Sequence, residues 1–257
     1  IVRRLVGSEM CIRDSLYTTH LRNEEEDIES ALEEAFLIGK KANVPVVLSH
    51  HKVAGKAQFG LTKKTLEIIK RAQLEQKVHL DVYPYHASST VIRPDRIKLS
   101  SKTLVTWSQP HPEMAGRAIT DIAIEWETTE EEAAARLLPG GAIYFAMDEE
   151  DVRRVVQFPE SMVASDGLPH DKKPHPRLWG TFPRVLGHYS RDLGLLTLTD
   201  AIYKMTGLPA KTFKLKKRGV LRPGNFADIV LFDPQTVIDC ATFESPTQRS
   251  DGIEEVY

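Results

Sequence analysis

The sequence predicts an α/β protein in which strands and helices alternate and the sheet is parallel. Three observations predict it. Short β-branched runs such as Val46-Val47-Leu48 are apolar on both faces, stretches with an apolar period near 3.6 residues separate them, and polar residues follow the runs directly. Alternation of this kind implies right-handed βαβ crossovers, which bring the polar residues together at the C-terminal ends of the strands, where α/β enzymes place their sites.

Taken in order, the first fifteen residues, IVRRLVGSEMCIRDS, open on Ile1 and lack clean periodicity. They resemble a translated sequencing adapter and are read as a non-native leader, so the protein is expected to start near Leu16. Leu16-Tyr17-Thr18-Thr19 then leads to His20. A helix is predicted over 24–42 from Ile28, Ala31, Leu32, Ala35, Phe36 and Ile38, with Asn23 and three glutamates as its start. A strand over 46–50 ends in His50, a helix covers 62–76, and a strand covers 78–83. Between 88 and 160 the pattern is weaker. Acidic helices near 128–138 and 148–156 predict a helical insertion around 91–160, before a strand over 162–165 that ends at Asp166-Gly167. A helix over 199–206 has Thr199 as its N-cap and Gly207 and Pro209 as stop signals. Turn chemistry at Gly219–Gly224 and a strand over 227–234 predict a small β appendage from residue 216. The expected division is therefore 1–15 leader, 16–215 α/β body and 216–257 appendage.

Composition narrows the function classes. The chain has 257 residues, 41% hydrophobic and 27% charged, which excludes disorder. Lys plus Arg is 34 and Asp plus Glu is 36, with no block of like charge, so neither nucleic acid nor a membrane surface is an expected partner. No apolar run reaches the roughly 18 residues of a membrane span, and no signal-peptide layout is seen, which makes the cytoplasm the expected compartment. Cys11 and Cys240 lie far apart and form neither a C-x-x-C motif nor a disulfide framework.

His20 and His50 end neighbouring elements, and histidines aimed into one mouth can share a divalent metal. Spacing alone does not decide this, because a histidine there serves equally as a hydrogen-bonded structural residue. Adjacent strand residues face opposite ways, so only one of His50 and His51 can face the site, and His50 is chosen. His51, His79, His111 and His188 are read as structural or surface residues. A carboxylate at Asp166 suits general base and general acid work, although Asp-Gly is also a common turn. Tyr83 and the hydroxyls of Ser88-Ser89-Thr90 could hold a carbonyl oxygen or a carboxylate, or simply cap the sheet. Lys52 and Arg177 are candidate carboxylate binders, with solvated surface residues as the alternative.

Together, YTTHLRNE, VPVVLSHHKVAGKAQFG, LDVYPYHASST, ASDGLPHDKKPHPRLWGTFPRVLGHY, MTGLPA and RGVLRPGNFADIVLFDP resemble the N-acyl-D-amino-acid deacylase (D-aminoacylase) branch of the metal-dependent amidohydrolases. The resemblance runs from Leu16 to the C-terminus. It implies the C-terminal half of a (β/α)8 barrel with part of a small β-sandwich domain. It also implies hydrolysis of an N-acyl-D-amino acid, a small molecule, to a carboxylate and a free D-amino acid. By the same resemblance, His20 and His50 would be ligands of zinc, one or two ions in the intact enzyme, and Asp166 would be the catalytic acid/base. Tyr83 would polarise the scissile carbonyl, while Lys52, Ser89 and Arg177 would hold the substrate carboxylate.

The family's first-strand His-x-His and its cysteine ligand ahead of THLR are not found in this sequence. Two protein ligands in place of the usual three, and a sheet of about four strands with open edges, predict that this polypeptide alone is inactive and aggregation-prone. Another amidohydrolase reaction, on a cyclic amide or a dipeptide, and a non-catalytic remnant are the alternative readings.

Overall fold

The computed structural model describes residues 15–257; the expectations for residues 1–14, Cys11 among them, lie outside the described residues. The chain alternates as the pattern requires through β1 (Tyr17–Thr19), α1 (Ile28–Ala42), β2 (Val46–Leu48), α2 (Thr62–Gln73) and β3 (Val78–Val82). Helix α1 buries Ile28, Ala31, Leu32, Ala35 and Phe36 along one stripe and closes with Asn43 in the left-handed region at φ 54°. It starts four residues later than expected. The Asn23 side-chain oxygen accepts from the backbone N–H groups of Glu25 (2.7 Å) and Asp27 (3.2 Å), and this turn replaces the first helical turn.

A second unit interrupts the alternation: β4 (Ser88–Val91), α3 (Pro94–Ile97), β5 (Thr103–Ser108), α4 (Ile119–Glu125), α5 (Glu130–Arg136) and β6 (Gly140–Tyr144). Its three strands form an antiparallel sheet in the order β4-β6-β5. This corrects the expected helical insertion over 91–160. The helices near 130 and 150 are present, but the unit is built on a sheet. Strand β6 begins Gly140-Gly141, a pair that weakens a strand pattern because it offers no side chain to pack. Both are needed because the neighbouring strand crosses closely, and a Cβ on Gly141 would lie 2.4 Å from the Trp107 indole nitrogen. Helix α5 is fixed by a capping box between Thr129 and Glu132.

The first unit resumes with α6 (Glu149–Gln157), capped by Asp148, and β7 (Ser161–Val163). The parallel sheet then has the order β1-β2-β3-β7, with Tyr17 opposite Val46, Val46 opposite Val78, and Leu80 opposite Ser161. Its core joins Val46, Leu48, Leu80 and Val82 to Leu32, Ile69 and Val155 of the covering helices.

Beyond β7 the chain forms α7 (Arg177–Arg184), which runs on as a π-helical turn to Asp192, then α8 (Leu198–Met205) and α9 (Gly207–Thr212). The cap of α8 is Thr197, which accepts from Asp200 N–H at 3.1 Å, two residues before the expected Thr199. Gly207 and Pro209 open α9 instead of ending the helical region, since proline is tolerated in a first turn. The expected strand over 227–234 is present as β8 (Val230–Phe232), and it pairs antiparallel with β9 (Ile253–Val256). No helix among the described residues is long and apolar enough to cross a membrane.

Candidate active site

Parallel strands present their C-terminal ends along one edge. His20 therefore follows β1, His50 follows β2, Tyr83 follows β3 and Asp166 lies just beyond β7. These residues line a cavity of about 300 Å3 together with Lys52, Ser89 and Arg177, so all seven residues singled out in the sequence meet there. Glu24, Arg93 and Arg96 complete the polar wall. Four cationic side chains face two carboxylates across this space, which favours an anionic ligand.

The two histidines approach each other with His20 Nδ1 3.0 Å from His50 Nε2. Two nitrogen ligands of one tetrahedral zinc, each about 2.0–2.1 Å from the ion, stand about 3.4 Å apart, so the facing nitrogens fit a shared ion. Burial lowers the pKa of His20, which favours the neutral ring that a metal needs. His50 holds its place through a left-handed backbone at φ 42°, with its N–H donating to Asp81 Oδ1 at 2.7 Å. His51 is turned away, buried with its ring nitrogen 3.0 Å from Thr65 Oγ1.

Glu24 was not singled out in the sequence, where it reads as part of a helix start. With His20 and His50 it forms the one group of potential metal-binding side chains among the described residues. Its Oε1 lies 3.1 Å from His50 Nδ1 and 2.5 Å from Lys52 Nζ. Burial alone would raise this carboxyl, but the Lys52 ammonium and His50 hold it at about 2. The signal available in the sequence was a glutamate four residues after His20. Its burial depends on the turn made by Asn23, which patterning does not reveal.

Lys52 sits differently from a free carboxylate binder. Its ammonium donates to Glu24 Oε1 and to the His50 carbonyl (3.1 Å) and stands 2.8 Å from His50 Nδ1, so it is held inside the wall of the cavity. Arg177 is only 1% exposed, pairs with Asp166 Oδ2 at 3.0 Å and lies over the Tyr83 ring at 4.5 Å. Its Nε and Nη1 are buried without partners, as are Tyr83 OH, Ser89 Oγ and Glu24 Oε2. Buried polar groups are nearly always paired, so five such atoms around one cavity mark it as built for a polar ligand. Asp166 also adopts a left-handed backbone, at φ 47°. His175, another residue passed over in the sequence, is buried with Nδ1 accepting from Arg177 N–H at 3.0 Å and Nε2 3.0 Å from the Ala87 carbonyl.

Paired histidines and an aspartate thus meet at the C-terminal edge of a parallel α/β sheet, and residues 132–257 match the amidohydrolase family. The chain is 54% identical over 242 residues to a D-aminoacylase of Alcaligenes xylosoxydans xylosoxydans, covering 94% of this chain and 50% of that protein. It is 50% identical to an N-acyl-D-aspartate deacylase of the same organism, covering 95% of this chain and 49% of that protein. Among solved structures, the N-acyl-D-glutamate deacylase of Bordetella bronchiseptica, complexed with zinc and a phosphonate mimic of the tetrahedral intermediate, superposes with a TM-score of 0.93. That match has 49% identity and covers 95% of this chain and 52% of that one. The chain is thus similar over almost its whole length to D-aminoacylases and related deacylases, and it spans about half the length of the curated relatives it matches.

Proposed function

We propose that this chain carries the acid/base, carboxylate-binding and part of the metal-binding machinery of a zinc-dependent deacylase. The reaction is hydrolysis of the amide of an N-acyl-D-amino acid to a carboxylate and a free D-amino acid. The observation that carries this reading is the convergence of His20, His50, Asp166 and the unpaired donors of Tyr83 and Arg177 on one cavity. The D configuration comes from the D-aminoacylase and the two deacylases described above, each named for a D-substrate.

His20 and His50 would hold the zinc, one or two ions in the whole protein. Zinc bound there supplies Lewis acidity toward water and the amide carbonyl. Asp166 takes the proton of the attacking water and returns it to the leaving amine. The Tyr83 phenol, pushed up in pKa by burial, stays protonated and donates to the carbonyl oxygen as charge develops on it. Arg177 grips the substrate carboxylate with its unpaired Nε and Nη1, and Ser89 Oγ adds a third donor. Lys52 acts one step back from the substrate, because it donates to Glu24 and to the His50 carbonyl.

The same reading assigns residues 16–215 to the second half of a (β/α)8 barrel, with the β4-β6-β5 sheet as an insertion. Residues 216–257 would be part of a small β-sandwich and the compartment the cytoplasm. The test is a chimera in which residues 16–257 replace the matching half of the 54%-identical D-aminoacylase. In it, Asp166→Asn lowers turnover at least about 1,000-fold with zinc content unchanged, as expected for a lost proton-transfer group. Equal losses of turnover and zinc would make Asp166 a ligand or a structural residue instead.

A further inference from the structure

The mechanism above leaves one buried ring without a task. His175 is 2% exposed, and the Tyr85 and Phe243 rings each meet it edge-on with 5.1 Å between ring centres. Both of its nitrogens face backbone groups. Nδ1 accepts from the Arg177 N–H at 3.0 Å, and Nε2 stands 3.0 Å from the Ala87 carbonyl oxygen. Burial, and then the adjacent Arg177, keep the ring neutral. A neutral imidazole carries one N–H, so only the tautomer with its proton on Nε2 satisfies both partners.

We infer that His175 is a positioning residue that sets the distance between the two parts of the carboxylate clamp, Arg177 and Ser89. Its partners belong to the two segments that carry that clamp. Arg177 opens α7, and Ala87 directly precedes β4, on which Ser89 lies. The one other hydrogen bond between the two parts, from Arg177 Nη2 to the Ser89 carbonyl, is 3.3 Å long, beyond the ordinary range for N–H donors. The donors left for a ligand are Arg177 Nε and Nη1 and Ser89 Oγ, all buried without partners. A carboxylate that bridges them needs their spacing held, because a misplacement of about 1 Å costs on the order of 100-fold. On the deacylase reading above, that carboxylate belongs to the substrate. His175 does not touch it and acts by fixing two stretches of backbone.

Two variants separate the two links. In His175→Asn the side-chain oxygen takes the place of Nδ1 and accepts from Arg177, but the side chain is too short to reach Ala87. His175→Gln reaches Ala87 with its amide N–H and offers Arg177 no acceptor. Amide hydrogen exchange is measured on the 257-residue chain. Kinetics are measured on the chimera described above, with an N-acetyl-D-amino acid and with its carboxamide, which lacks the negative charge.

The Arg177 amide is expected to exchange slowly in the wild type and in His175→Asn, and quickly in His175→Gln. In the chimera both variants raise KM for the acid, by about 10- to 100-fold where a hydrogen bond to the charged carboxylate is lost, and leave kcat nearly unchanged. His175→Gln loses more, because Arg177 supplies two of the three donors, and kcat/KM for the carboxamide does not change. Equal losses on acid and carboxamide, as a residue that merely supported the fold would give, overturn the inference. So does Arg177 exchange that fails to distinguish the two variants. Should a variant not fold, ¹H–¹⁵N spectra of the wild-type histidines decide: a proton on Nε2 of His175 sustains the inference and a proton on Nδ1 overturns it. A wild-type chimera that releases no D-amino acid counts against the deacylase reading, while amide exchange and the tautomer still decide the role of His175.

Discussion

Arg177 illustrates how far a single residue can be read. The sequence marks it as a candidate carboxylate binder by type, but its setting is a set of contacts no motif displays. Its ring partner is Tyr83, its ion-pair partner is Asp166, and the backbone N–H that begins its helix is held by His175. His20, His50 and Asp166 stood out as candidates because each follows a short run readable as a strand, with the family resemblance supplying their expected roles. Glu24 and His175 were not, since their burial is created by a turn and by a loop packing onto Ala87. His175 also carries a pH dependence. Burial, and then the adjacent Arg177, hold its pKa well below 6.5, so the native ring is neutral. The unfolded chain binds more protons below pH 6.5, so this stabilisation is complete above that pH and is lost as pH falls. Thermal unfolding is expected to show Tm dropping from pH 6.5 to 5. His175→Asn should be less stable near neutrality and show a shallower drop; an unchanged slope would remove His175 as its source.

At the scale of elements, the helices and buried strands of the parallel unit were legible and the antiparallel unit was not. Helix α1 announces itself by period, whereas β6 begins with two glycines whose reason for being there is Trp107 on the neighbouring strand. The 28–42 and 199–206 regions show where local signals mislead. Asn23 and Thr197, by accepting backbone N–H groups, moved the helix starts by a few residues. Gly39 shows how closely α1 approaches the sheet, since a Cβ there would stand 2.2 Å from Val46 Cγ2. Gly39→Ala should therefore destabilise the fold by about 1–3 kcal/mol through overpacking, even though alanine is the better helix former. Urea unfolding measures it, and a stabilised variant would show that α1 can shift away from β2.

Over the whole molecule, two edges of the structure bear on function. In the parallel sheet β1 and β7 each have a single strand partner among the described residues. On the far side, Leu221 (75% exposed), Val256 (70%) and Phe226 (56%) leave apolar surface open around β8 and β9. The edge that carries the cavity nevertheless keeps its shape, because Asp81 pins the turn at His50 and the insertion supplies Ser89, Arg93 and Arg96 to the same cavity. The α/β alternation and the gathering of polar residues at the strand ends were thus readable from the sequence, while the closure of the pocket depended on a unit whose sheet was hidden.

The central claim is that residues 16–257 bring a working D-specific half-site to a zinc deacylase. It is tested most directly by offering the chimera with the 54%-identical D-aminoacylase an N-acetyl-D-amino acid and its L enantiomer. The prediction is zinc-dependent release of the free D-amino acid and no release from the L substrate. A folded, zinc-loaded chimera that leaves both enantiomers intact, or hydrolyses them equally, would contradict it.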